Sequence, residues 1–195
     1  DMELNGISLD TDFLKIMSKE FATNIKKLTT KIYKLAGREF NIASPKQMKE
    51  ILFEDLEISV TGIKKTKTGL STAASELEKM KDSHPIIPLI VEYRELAKLQ
   101  STYINALPEL CNKDTKRVHT SFNQTVTTTG RLSSSDPNLQ NIPIRTALGR
   151  EIRKAFVAPR NHALLSADYS QIELRLAASI SKDPKMIASF KNGED

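Results

Sequence analysis

The chain of 195 residues carries 29 Lys and Arg against 24 Asp and Glu, a net charge of +5, with 39% hydrophobic residues, 7 Gly and 8 Pro. That composition belongs to ordinary globular proteins and excludes disordered and collagen-like chains. A single cysteine, Cys111, allows no internal disulfide, no stretch reaches the roughly 18 apolar residues of a membrane span, and the first six residues do not read as a secretory signal. The expectation is a soluble protein of a reducing, cytoplasmic compartment with no membrane partner.

In chain order, Leu14, Met17, Phe21, Ile25, Leu28, Ile32 and Leu35 recur at steps of three or four, one stripe on a long helix. Asp10 or Thr11 can cap its start and Gly37 can end it. Ser44-Pro45-Lys46-Gln47 sets Ser at the N-cap, Pro at the first helical position and Gln at the third, which starts a short helix carrying Met48, Ile51 and Leu52. Residues 54 to 70 lose periodicity. They hold Lys64, Lys65, Thr66, Lys67, Thr68 and Gly69, either a solvated connection or a loop that grips a phosphate backbone. A helix starting near Ser71 follows. A second long helix begins after His84-Pro85, with Leu89, Tyr93, Leu96, Leu99, Tyr103 and Leu107 on one side and Pro108 closing it. Helices joined by short links predict an extended antiparallel bundle.

From Lys113 the pattern changes. Between Lys113 and Arg160 there are nine cations against three anions, a net of +6, so the rest of the chain sums to −1. A basic segment in a nearly neutral protein is either a solvated face or a surface for a polyanion. Residues 117 to 129 alternate and then turn β-branched, which predicts a strand that Gly130 breaks. Ser133 to Asn141 predicts a loop with one helical turn, Asp136 capping and Pro137 at its first position. Its three side-chain amides, Asn138, Gln140 and Asn141, serve either self-capping turns or contact with base and sugar edges. Residues 151 to 158 and 163 to 169 predict two further strands, the second buried and ending in Asp168. Ser170 and Glu173 fit a capping box for the helix that follows, whereas Asp168 lies outside the box and is either a local cap or a metal ligand.

The residues from Asp168 to Arg175, Asp-Tyr-Ser-Gln-Ile-Glu-Leu-Arg, resemble the palm motif A of family A DNA polymerases. Thr129 to Pro143 resembles that family's template-primer segment, Lys65 to Gly69 with Ser71-Thr72 its thumb tip, and Tyr93 to Leu96 with Ser101 to Ile104 its second thumb helix. The match runs in order over essentially the whole chain. It implies an α+β fold: an extended antiparallel helical thumb over residues 1–112, with a basic tip near 62–72, then a partial antiparallel-sheet palm over 113–195.

The resemblance implies template-directed DNA synthesis, with primer-template DNA and a deoxynucleoside triphosphate as partners, in a monomeric, nucleoid-associated enzyme. Asp168 would be one of two palm aspartates that bind two Mg²⁺ ions, with the backbone carbonyl of Tyr169 as a further ligand. Those ions would activate the primer hydroxyl and neutralise the triphosphate. Glu173 would meet the sugar of the incoming nucleotide and exclude a ribose hydroxyl, beside Gln171 and Ser170. Arg131, Asn138, Gln140 and Asn141 would line the duplex, Arg145 would meet phosphate, and Lys65, Lys67 and Ser71 would hold the duplex from the thumb. Leu70 stands where the family more often has Tyr. In the family, the residues that grip the triphosphate and the second aspartate come after the last residue here, so these 195 residues are expected to be inactive alone and to leave an unpaired sheet edge prone to self-association. A non-catalytic module that binds duplex DNA is the alternative.

Overall fold

The computed structural model describes residues 1–66 and 69–194, as two compact units, 1–158 and 159–195. Among the described residues no helix is long and apolar enough to cross a membrane. The first unit opens with a short helix, α1 (Met2–Asn5), and a strand, β1 (Ile7–Leu9).

Helix α2 (Thr11–Ala36) runs 26 residues, about 39 Å at 1.5 Å per residue. The Asp10 carboxylate accepts from the Phe13 amide at 2.9 Å, satisfying one N–H that the first turn leaves over. Gly37 ends the helix at φ 74°, in the left-handed region where a side chain is disfavoured. The predicted stripe is the buried face: Leu14, Met17, Phe21, Leu28 and Ile32, with Ala36.

Ser44 caps α3 (Pro45–Lys49), accepting from the Gln47 amide at 3.4 Å. The Gln47 side chain turns instead to the Asn41 amide, at 2.6 Å. A π-helical turn, Glu50–Asp55, continues the helix and buries Ile51 and Leu52. Within the basic segment β2 (Lys65–Thr66) pairs antiparallel with β3 (Gly69–Leu70), and α4 (Ala74–Lys79) follows.

The second long helix, α5 (Ile86–Leu99), passes through a π-helical turn, Gln100–Ile104, into α6 (Ala106–Leu110). Pro108 does not close it. It sits in the first turn of α6, where its missing N–H removes no bond within that short helix. Ile32 and Ala36, late in α2, share a buried cluster with Ile86, Ile87 and Ile90, early in α5. Leu14, Met17 and Phe21, early in α2, cluster with Leu99, Tyr103 and Leu107. The two long helices are therefore antiparallel. The second cluster also takes in Leu9, Val118, Ile152 and Ala155, so one core joins the helices to the sheet.

That sheet has β1 at its centre, antiparallel to β4 (Arg117–Val118) and to β7 (Phe156–Val157). The strand predicted over 117–129 is divided. After β4 the chain bends at buried Thr120, whose hydroxyl is 2.7 Å from the Pro137 carbonyl and 3.0 Å from that of Ser135. It resumes as β5 (Ser121–Asn123) against β6 (Ser133–Ser135). Thr125 to Thr129 form turns rather than strand, because they lie in the connection that reverses the chain between β5 and β6 and have no ladder to join.

Three further expectations are corrected here. Asp136 starts no helical turn: it has φ 56°, precedes a cis Pro137, and ends β6. Most of 151–158 is not strand, because Thr146 caps a helix, α7 (Ala147–Arg153), by accepting from the Gly149 amide at 3.1 Å. The buried strand expected at 163–169 is absent. In the second unit that stretch is irregular, with Leu164 and Leu165 59% and 92% exposed. A strand exists by pairing, and this stretch has no partner strand among the described residues. The unit's helices are α8 (Ile172–Ser181) and α9 (Pro184–Lys191), the latter capped by Asp183, which accepts from the Lys185 and Met186 amides at 2.9 Å.

Asp10→Ala removes the α2 cap and is expected to cost about 1 kcal/mol, lowering the melting temperature by about 2–4 °C, as thermal unfolding followed by circular dichroism would measure.

Candidate nucleic-acid interface

The first face is built on the β2–β3 pair and on α5. The Lys64 carbonyl accepts from the Ser71 amide at 2.9 Å, which extends the pairing and brings Ser71 beside its basic strand. The Ser71 hydroxyl accepts from the Ala73 amide at 3.2 Å and keeps its own proton to donate. Lys65 is exposed, and Lys67 lies outside the described residues.

Not every lysine here is available to a ligand. Buried Glu76 takes the Lys64 amide at 3.0 Å and the Lys79 ammonium at 2.9 Å, while Lys79 also reaches the Gly62 carbonyl at 3.3 Å. The Lys64 amide first, and then Lys79, hold the Glu76 carboxyl below its ordinary 4.5. The pair pins the base of the two strands to α4.

Arg94, on α5, donates to the Thr72 carbonyl and, at 3.5 Å, to the Thr72 hydroxyl. Burial pushes its guanidinium down from the ordinary arginine value, but an arginine stays charged at neutral pH. Arg94 lines a cavity of about 690 Å³ together with Lys49, Lys98, Ser71, Thr72 and Ser101. Arg94 and the Thr72 hydroxyl already engage each other, and Ala43, Pro45, Leu70, Tyr93 and Ala97 complete the walls, so Lys49, Lys98 and the hydroxyls of Ser71 and Ser101 are the polar groups here that suit a phosphate-bearing polymer. Lys49, Arg94 and Lys98 were missed as site residues by sequence reasoning. A signal existed: 94, 98 and 101 are spaced as one helix face, opposite the apolar stripe.

The second face is the amide loop. Buried Ser134 donates its hydroxyl to the Asn138 side-chain oxygen at 3.0 Å and accepts from the Leu139 and Gln140 amides at 3.1 and 3.2 Å. The Gln140 amide also donates to that Asn138 oxygen, at 3.0 Å. The self-capping reading therefore holds for the Asn138 oxygen. Leu139 and Ile142 pack against the core, while Gln140 and Asn141 between them are exposed. Arg131 and Arg145 are exposed as well.

Several cations of the basic segment are engaged with the protein itself. Arg117 holds the Asn5 and Gly6 carbonyls at 2.8 and 3.2 Å, and Lys154 pairs with Glu151 at 2.7 Å. Arg150 and Arg153 donate to backbone carbonyls of residues 142–145.

In the second unit, Asp168 and Tyr169 lie on the irregular stretch, both exposed. Gln171, rather than the expected Ser170, occupies the N-cap position of α8. Helix α8 starts at Ile172, after Gln171 at φ 51°, ψ 37°, and a left-handed residue between Ser170 and the helix takes Ser170 out of the N-cap position. The Ser170 carbonyl accepts from Arg175 Nε at 2.8 Å, and the Arg175 guanidinium stacks 4.7 Å from the Phe190 ring centre. Glu173 sits in the first turn of α8. Among the described residues no group of three or more His, Cys, Asp or Glu is placed to hold a metal ion. Asp168 with the Tyr169 carbonyl is thus short of the several oxygens a hard divalent cation takes.

The sequence model of DNA polymerase family A matches residues 11–195. The chain belongs to that family. It is 52% identical over 196 residues to DNA polymerase I of Deinococcus radiodurans and 52% identical over 196 residues to DNA polymerase I of Bacillus subtilis. Both alignments cover 100% of this chain but only 20% and 22% of those proteins, so the chain spans about a fifth of the length of these relatives. A solved structure, the POL domain of Pol1 from M. smegmatis in complex with DNA primer-template and dNTP, superposes with a TM-score of 0.90 at 44% identity. It covers 97% of this chain and 33% of that one. The family implies divalent-metal use in general, and the mixed α+β architecture agrees with the expected class.

Because the folded state holds the Glu76 carboxyl below 4.5, its stabilising effect is complete above that pH and is lost as pH falls through the folded-state value. Glu76→Gln should therefore melt lower than the parent at pH 7 and lose less stability between pH 5 and 3, as melts across that range would show.

Proposed function

We propose that this chain is the duplex-gripping part of a DNA polymerase that extends a primer 3′-hydroxyl on a template, and that it contributes one aspartate to the metal site. In this reading 1–112 is the thumb and 113–195 the first part of the palm. The observation that carries it is the pairing, within the first unit, of a cavity lined in part by Lys49, Lys98, Ser71 and Ser101 with a backbone-anchored loop offering Gln140 and Asn141.

The two chemistries are complementary. Cations and hydroxyls follow a phosphate backbone whatever its sequence. Side-chain amides meet the minor-groove acceptors, which are common to A·T and T·A pairs and nearly so to all pairs, and so check shape rather than sequence. An enzyme that copies any template needs that tolerance. Lys65, Lys67 and Ser71 would contact phosphate beside the cavity, Arg145 would contact phosphate beside the amide loop, and Arg131, Asn138, Gln140 and Asn141 would line the duplex.

Asp168 and the Tyr169 carbonyl would give two oxygens to Mg²⁺, with the rest of the shell coming from parts of the longer protein. Glu173, Gln171 and Ser170 would face the incoming nucleotide. The residues described here do not complete a metal site, and the duplex-binding role does not depend on one.

In a longer polymerase carrying this chain, Asp168→Ala should lower primer extension by at least about a hundredfold and leave duplex affinity within about twofold, since that affinity resides in contacts elsewhere. Extension near the parent level would overturn the role given to Asp168.

A further inference from the structure

The stretch that follows the amide loop, residues 141–145, has no strand or helix of its own to satisfy its backbone. Side chains from two helical segments do so instead. Tyr103, in the π-helical turn after α5, donates its hydroxyl to the Asn141 carbonyl at 2.5 Å. Arg153, at the end of α7, donates to the Ile142 carbonyl at 3.2 Å. Arg150, on the same helix, donates to the Arg145 carbonyl at 2.8 Å and to that of Ile144 at 3.5 Å. The remaining carbonyl, that of Pro143, is packed on Gly149 so closely that a Cβ there would lie 2.8 Å from it and 2.5 Å from the Pro143 Cβ.

Four of five successive carbonyls are thus held by side-chain donors and the fifth by a glycine contact. Tyr103 is 6% exposed and buries its ring among Leu96, Leu99 and Leu107, so it has no route to a ligand of its own. Burial also pushes its hydroxyl above the ordinary 10, keeping it a donor throughout the neutral range.

We propose that Tyr103, Arg150 and Arg153 are positioning residues, a strap that fixes the backbone of 141–145 so that Gln140, Asn141 and Arg145 meet the duplex in one arrangement. The proposal rests on the duplex-binding reading above. It also reassigns Arg150 and Arg153, which charge alone would count as phosphate ligands, to the support of that loop.

Phosphate ligands and positioning residues respond differently to salt. Losing a phosphate contact reduces the slope of log affinity against log salt by about 0.9. Losing a positioning contact lowers affinity at every salt concentration and leaves the slope alone.

The experiment takes Tyr103→Phe, Arg153→Ala and Arg153→Lys, measures binding to a primer-template duplex from 50 to 300 mM KCl well below the melting temperature, and follows tryptic cleavage after Arg145 in the DNA-free protein. The strap predicts that Tyr103→Phe and Arg153→Ala each raise the cleavage rate and weaken the duplex by roughly three- to tenfold, with unchanged slopes, and that Arg153→Lys recovers part of both losses. The double variant Tyr103→Phe/Arg153→Ala should lose less than the product of the single losses.

Unchanged cleavage in both single variants overturns the strap, and so does a slope reduced by about 0.9 in Arg153→Ala. Faster cleavage with unaltered affinity shows a strapped segment that does not present residues to DNA, which also overturns the proposal. A parent chain that binds no duplex at all sinks the duplex-binding reading itself, recognisable because the cleavage rates would still rise.

Discussion

The contact between α2 and α5 is the constraint on which the first unit depends. Each helix carries an apolar stripe that water disfavours, and each finds the other running the opposite way. Ile32 and Ala36 meet Ile86, Ile87 and Ile90 at one end, while Leu14, Met17 and Phe21 meet Leu99, Tyr103 and Leu107 at the other. Each fully buried Leu or Ile contributes roughly 1.5–3 kcal/mol relative to exposure. The two ends then recruit different neighbours. The first gathers Met48, Ile51, Leu52 and Leu77 and so fixes the segments that flank the basic strand pair, whereas the second gathers Val118, Ile152 and Ala155 and so fixes the sheet and α7.

One helix therefore serves two chemistries. The polar side of α5 presents Arg94 and Lys98 to the cavity, and the turn that prolongs the helix presents Tyr103 to the Asn141 carbonyl. Two of the loops proposed to touch duplex DNA are tied to the helical core by a side chain with a backbone partner, Arg94 to Thr72 and Tyr103 to Asn141, and the amide loop is also held to β6 by Ser134, which accepts from the Leu139 and Gln140 amides. Such ties limit how far the loops can wander, which lowers the entropy lost when a duplex is bound.

What sequence reasoning could see was local. The 3.6-residue stripe of α2, the Asp10 cap, the Gly37 stop and the Ser44-Pro45 start each depend on residues within a few positions of one another, and all four are in the fold. Strands were less legible because a strand is defined by its partner. The apolar run at 163–169 has strand composition and no ladder among the described residues, while Ser133–Ser135, which looks like a loop, pairs with Ser121–Asn123. The basic segment was located correctly as a sequence feature, but charge counting could not separate Arg145 from Arg150 and Arg153. That difference is set by carbonyls that only the folded chain brings near. Family resemblance reached the relevant motifs and left the supporting contacts invisible.

The proposed function requires one helical core to present two separate segments to the same duplex. Amide hydrogen exchange of the chain, with and without a primer-template duplex, reads both segments at once. Exchange should slow on binding both at Leu70–Ala73 and at Asn138–Thr146. Slowing at neither segment, or slowing confined to residues 159–194, would contradict the account.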